Sequence, residues 1–231
     1  MAMRKIMNKT LIVAGIMLFA MMGTAVADSY TTPINDAPQG EMSLLGPNGI
    51  LDFLYFGEDN LVRVSDDFDQ IWRSLNGEAQ AFAKYAKNIQ NFGYIDSTDP
   101  LREFQSLFEV EVEGLIFGDD FLAELPSLSK FEFVLNSPTN SENFWSSDPF
   151  WNDGNDHMVT FKVIGGPFFD PSTVTYVIAW EDLPGLGDRD YNDLVVEVRG
   201  VKPIPEPHTL LLLGLGLMVL AMAKRTKPGV L

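Results

Sequence analysis

At 231 residues, with 46% hydrophobic and 12% aromatic side chains, the chain has enough apolar material for a real core, which excludes global disorder. Its 32 acidic and 16 basic side chains give a formal net charge of -16, and residues 28–203 hold 31 of the acids but 10 of the bases, so the body repels nucleic acid and attracts cations. The absence of cysteine excludes disulfides and thiolate chemistry, and His157 and His208 alone are left for imidazole chemistry.

The first 27 residues read as a secretory signal peptide. Arg4, Lys5 and Lys9 precede an apolar run from Leu11 to Met22, and the small residues Ala25 and Ala27 mark cleavage before Asp28. The run is short for a membrane span, which needs ~20 residues. A signal helix removed by signal peptidase is therefore expected. Residues 28–49 carry Pro33, Pro38, Gly40, Gly46, Pro47 and Gly49 and read as a mobile leader.

From residue 50 to 203, short apolar runs alternate with clusters of Asn, Asp, Gly and Pro. Strands are predicted over 50–56, 60–65, 106–117, 130–136, 157–164, 173–180 and 193–198. Phe131, Phe133 and Leu135 alternate onto one face, as do Val174, Tyr176, Ile178 and Trp180. Residues 77–95 carry both strand and helix spacing, and their surroundings favour strand. The fold expected is all-β: an antiparallel β-sandwich, jelly-roll-like, between an N-terminal signal helix and a C-terminal hydrophobic helix.

The stretch AWEDLPGLGDRDYNDLVVEV, residues 179–198, places Glu181, Asp182, Asp188, Asp190 and Asp193, with Asn192, on a 13-residue connection between two predicted strands. Hairpin loops usually need two to five residues. Two like charges ~4 Å apart repel by about 4 kcal/mol at an effective dielectric near 20. A cation among the acids relieves that repulsion. Calcium is the natural candidate, because it takes six to eight oxygens from carboxylates, amides and carbonyls. Asp188, Asp190 and Asn192 have D-x-D-x-N spacing, but the EF-hand pattern stops there, since its glycine position holds Asp193. A second acidic turn, with Asp153, Asn155 and Asp156, either completes the same site or makes its own. Two other readings stay open: a solvated turn network, which uses the same residue types, and carboxylates working on a glycosidic bond. His157 reads as a packed histidine, and the aromatics Trp145, Phe150 and Trp151 as core.

At the other end, Pro205-Glu206-Pro207 is followed by an apolar run from Leu210 to Ala223 and by Lys224, Arg225 and Lys227. Fourteen helical residues rise about 21 Å, a marginal span that basic snorkelling supports. The tripartite order of residues 204–231 resembles the PEP-CTERM sorting signal of Gram-negative bacteria. That resemblance implies processing by exosortase near Pro205-Glu206-Pro207, transient insertion in the inner membrane through 210–223, and delivery to the cell surface or extracellular matrix.

The segments DGNDHMVTF (153–161) and YVIAWEDLPGLGDRDYNDLVVEV (176–198) are similar to the domain of unknown function 4114 over about residues 130–200. The resemblance implies Glu181, Asp182, Asp188, Asp190, Asn192 and Asp193 as its characteristic polar positions. Together these readings describe an exported, calcium-stabilised, non-enzymatic binding or structural module of the cell surface. Extracellular polysaccharide or surface proteins are its expected partners, and nucleic acid is not. The rival is a secreted hydrolase acting on polysaccharide through the acidic loop.

Overall fold

A computed structural model describes residues 32–137, 144–167 and 169–204, together with Gly216 and Met218. Residues 1–27, read from sequence as a signal peptide, and the sorting segment from Pro205 onward otherwise lie outside the described residues. The chain divides into two units, residues 1–32 and 33–231, and the description that follows is of the second. Among the described residues, no helix is long and apolar enough to cross a membrane.

Among the described residues eleven strands make the body, and every pairing among them is antiparallel. They are β1 (Leu61–Arg63), β2 (Trp72–Lys84), β3 (Gln90–Asp96), β4 (Phe104–Val110), β5 (Gly114–Leu115), β6 (Leu122–Leu125), β7 (Leu128–Asn136), β8 (Phe144–Ser146), β9 (Met158–Val163), β10 (Thr175–Trp180) and β11 (Leu194–Pro203). The strand order is β1-β9-β10-β11-β2-β7-β3-β4, with β5 and β6 also on β2 and β8 on β7. This is the expected all-β sandwich. Residues 77–84 are strand, as their β surroundings suggested.

The long strand β2 joins the two layers. One edge follows β11 from Ala83 to Trp72, while the other is shared out among β5, β6 and β7. The pairing with β11 jumps from Glu78 to Ser74, leaving Asn76 at φ 56 and Gly200 at φ 67 in the break. A Cβ on Gly77 would sit 2.6 Å from the Arg199 carbonyl oxygen, so only glycine permits this crossing. A second irregularity skips Phe82, which turns Ala83 to the face opposite Ala79 and Ala81.

Two clusters of apolar side chains result. The inner one fills the space between the layers with Trp72, Phe92, Phe131, Phe133, Ile178, Trp180 and Val196. Its rings meet mostly edge to face, as in Trp72–Phe133 at 5.3 Å and Phe131–Phe133 at 4.9 Å. The faces predicted for 130–136 and 173–180 both point into this core. The second cluster coats the back of the β9-β10-β11 layer, where Val159, Phe161, Val177, Ala179 and Val195 meet Leu44, Ile50, Leu51 and Tyr55. These central strands are buried on both sides, which explains why TYVIAW is apolar throughout instead of alternating.

The back cover corrects the reading of residues 50–56 as a strand. Ile50–Tyr55 form a short helix, α1, closed by Phe56 in the left-handed region at φ 58. A run this brief, apolar but for Asp52, has no period to separate helix from strand. Here the preceding turn decides: Gly49 donates to the Gly46 carbonyl at 2.9 Å, and Ile50 donates to Ser43. Residues 33–49, read from sequence as a mobile leader, lie against the same face, with Leu44 fully buried. Two further differences follow from turns. The predicted 106–117 strand breaks after Val110 and resumes as β5, and Phe150 and Trp151 sit in a 3-10 turn with 78% and 52% exposure instead of in the core.

Candidate metal centre

Strands β10 and β11 pair from Thr175↔Arg199 to Trp180↔Leu194, which makes Glu181–Asp193 their connection. Its backbone is unusual. Gly185, Leu186, Gly187, Arg189 and Tyr191 all have positive φ, and Pro184–Leu186 form a 3-10 turn. The fold-back turns the acids inward, because strand partners and the leader clamp the loop from both sides. Asn35 donates to the Asp188 carbonyl, its N–H donates to the Arg189 carbonyl at 2.9 Å, and Asn192 donates to the Met42 carbonyl at 3.1 Å.

The structure brings the predicted acids together. Glu181, Asp188 and Asp190 offer oxygens that all lie within 4.8 Å of one another, and so do Glu181, Asp182 and Asp193. Glu181 is therefore common to both groups. It is fully buried, as are Asp182, Asp190 and Asn192, while Asp188 is exposed. Gly187 permits the approach, since a Cβ there would meet Glu181 Oε1 at 2.8 Å and Leu183 at 2.7 Å.

The hydrogen bonds leave this charge largely uncompensated. Asp193 accepts from the Asp182 N–H at 2.6 Å, Asp190 from the Asn192 N–H at 3.2 Å, and Asp182 from the Gln90 amide. Glu181 Oε2 is buried without a partner. Burial pushes the Glu181 carboxyl up to about 8, with the charges of Asp188 and Asp190 adding to it. Asp190 is pushed up to about 6 by burial, opposed by the Asn192 N–H and raised further by Asp188 and Glu41. Asp193 stands well above the carboxylate range, again by burial first and by Asp182 second. One ammonium lies close: Lys84 at the end of β2 is buried, donates to the Ala86 carbonyl and feels the charges of Glu113, Asp182 and Asp193.

The donor set is all oxygen, which suits a hard cation such as calcium. An orphaned buried carboxylate oxygen and a glycine-lined approach are what an ion-holding loop supplies. Either group, Glu181 with Asp188 and Asp190 or Glu181 with Asp182 and Asp193, would hold such an ion.

The second acidic turn does not join this group. Asp153 is exposed at φ 54, Asn155 bonds through its N–H to Asn152, and Asp156 faces Asp66 and Asp69. His157 is fully buried between the two regions. Its Nδ1 donates to the Glu181 carbonyl at 2.8 Å and its ring stacks on Trp145 at 3.8 Å. Burial lowers its pKa, so it stays neutral and packs. Trp145 in turn donates to the Asp182 carbonyl at 2.9 Å, fixing the first bend of the loop. Sequence reasoning missed Glu41, Lys84 and Gln90. Gln90 and Lys84 carry a signal, as polar side chains in otherwise apolar strand runs; Glu41 carries none.

A cavity of about 650 Å³ lies elsewhere, between α1 and residues 163–175. Phe53, Phe56, Phe82 and Phe169 line it, and at its polar end Glu197 accepts from the Tyr55 hydroxyl at 2.6 Å and pairs with Arg199. None of the acids of the 181–193 connection lines it.

No curated protein matches the chain. Two family models do. The model of the domain of unknown function DUF4114 matches residues 118–201, which span β6 to most of β11 and hold the whole acid connection. The PEP-CTERM protein-sorting motif matches residues 203–225. The chain thus carries a DUF4114 domain joined directly to a PEP-CTERM sorting motif.

Proposed function

We propose that this exported, C-terminally sorted protein is a calcium-stabilised, non-enzymatic module of the bacterial surface or extracellular matrix. The observation that carries the reading is the buried acid connection, in which Glu181 belongs to two carboxylate groups and keeps an oxygen without a partner. Carboxylates this close, held by hydrogen bonds that do not neutralise them, destabilise the fold until a cation enters. The exposed aromatics Phe150 and Trp151, packed edge to face at 5.1 Å, support contact with glycan. Processing by signal peptidase at Ala25 and Ala27 and by exosortase near Pro205, Glu206 and Pro207 would deliver the mature body to the outside.

The test is thermal unfolding of the chain, purified with its sorting segment in detergent, in chelator and in millimolar calcium. Calcium at a hundred times its dissociation constant should stabilise the fold by about 2.7 kcal/mol. An unchanged melting temperature would overturn the reading. A specific observation also favours the hydrolase: a carboxyl at about 8 beside an ionisable neighbour is what a general acid requires. Glu181 is, however, fully buried and lines no part of the large cavity. Turnover of matrix polysaccharide that is abolished in Asp190→Asn, with melting unchanged, would reverse the preference.

A further inference from the structure

The buried polar atoms without a hydrogen-bond partner are not scattered through the fold. Among the described residues, Gln90 Oε1, His157 Nε2, Trp180 Nε1 and Glu181 Oε2 lie in or beside the acid connection. The other five, Arg63 Nε, Ser65 Oγ, Asp69 Oδ2, Asp156 Oδ2 and Thr160 Oγ1, belong to a second place. There the turn from β1 to β2, carrying Asp66 and Asp69, meets the turn that enters β9, carrying Asp156. The backbone links the two, because Val64 donates to the Thr160 carbonyl at 2.9 Å, and the Trp72 indole fixes the first turn by donating to the Asp69 carbonyl.

The charges here do not close. Arg63 pairs with Asp66 at 2.9 Å. Asp69, at 1% exposure, has Oδ2 unpartnered; Asp156 uses Oδ1 to accept from the Met158 N–H at 3.2 Å and also leaves Oδ2 unpartnered. The Thr160 hydroxyl lies near Asp69 without making a well-formed hydrogen bond. Three carboxyls against one guanidinium leave two negative charges, which one divalent cation balances. Burial first, then the charge of Asp156 on Asp69 and of Asp66 on Asp156, holds both Asp69 and Asp156 well above the ordinary carboxylate range.

We propose that Asp66, Asp69 and Asp156, with the Thr160 hydroxyl, form a second cation site of the calcium class, separate from the acid connection. All of its donors are oxygens, carboxylate and hydroxyl, as a hard ion prefers. Its structural effect is to staple the β1–β2 turn to the start of β9, so that the edge of one layer is tied down by an ion and not by packing alone. Without an ion, the same groups hold shared protons.

Calcium binding to the full chain in detergent, measured by equilibrium dialysis at about pH 7.5, separates these states. Glu181→Gln should retain one bound equivalent, and Asp69→Asn placed in that background should bind none while keeping the same circular dichroism. Glu181→Gln binding no calcium, or binding the same amount with and without Asp69→Asn, overturns the proposal. Should Asp69→Asn fail to fold, Asp156→Asn in the same background carries the same expectation, since it keeps the shape of the side chain. The result is independent of the acid connection: if that reading is wrong, wild type and Glu181→Gln bind the same single equivalent, and Asp69→Asn removes it from both.

Discussion

Glu181 shows how a single side chain gathers the consequences of its neighbours. Burial and two nearby acids lift its carboxyl to about 8, so in the calcium-free protein it keeps a proton that the unfolded chain, with an ordinary value of ~4.3, has already released. The folded state binds more protons across that window. Stability without calcium therefore falls as pH rises from about 4.5 to about 8 and levels off above it. Apparent calcium affinity moves the opposite way, because the ion competes with that proton. Urea unfolding in chelator across this range checks the slope, and Glu181→Gln should make it shallower, the remainder coming from the other raised carboxyls, Asp190 and Asp193 among them; a flat wild-type profile would show that the carboxyl is not perturbed. The acids themselves were legible in the sequence, because 13 residues between two strands is too long for a plain hairpin. Lys84 was not, because an ammonium's distant neighbours are a fact of three dimensions.

At the scale of elements, the strands with clear alternation or β-branched runs were legible, and α1 was not. Strand β10 declares itself by five aromatic or branched side chains among its six residues, whereas Ile50–Tyr55 is short and apolar but for Asp52. The leader was misread for a related reason. Its prolines and glycines signal turns, but turns can lie on a sheet as well as in solvent, and Leu44 supplies the anchor. Leu44→Ala should cost about 2–5 kcal/mol by the cavity it opens. Because Asn35 and Met42 hold the acid loop, the same change should also speed protease cleavage within residues 33–49 and weaken the protection that calcium gives there. Equal cleavage rates in the two proteins would mean that the leader does not depend on this contact.

The whole molecule is larger than its recognisable domain. The DUF4114 match begins at residue 118, yet β2, β3 and β4 lie before it, and the inner core needs Trp72, Ala79, Ala81 and Phe92 from those strands. The upstream residues are therefore part of one sandwich with the matched segment, which sequence similarity over 118–201 alone does not convey. The C-terminal end was legible as an address because sorting depends on composition and order, not on packing. Replacing Pro205, Glu206 and Pro207 with alanine should leave the chain in the membrane fraction at its unprocessed C-terminal length, detectable by mass spectrometry. Normal processing of that variant would mean that the motif is not what the sorting machinery reads.

Strand β11 carries one more consequence. It is the last strand before the sorting motif, it is hydrogen-bonded to β10 on one edge and β2 on the other, and Ile204 extends the hold by donating to the Ile71 carbonyl at 2.7 Å. Whatever grips the chain by its C-terminal end pulls along the axis of this interior strand. Such a load shears two ladders at once instead of unzipping an edge one rung at a time, so the body is built to resist drag from the direction in which it would be tethered.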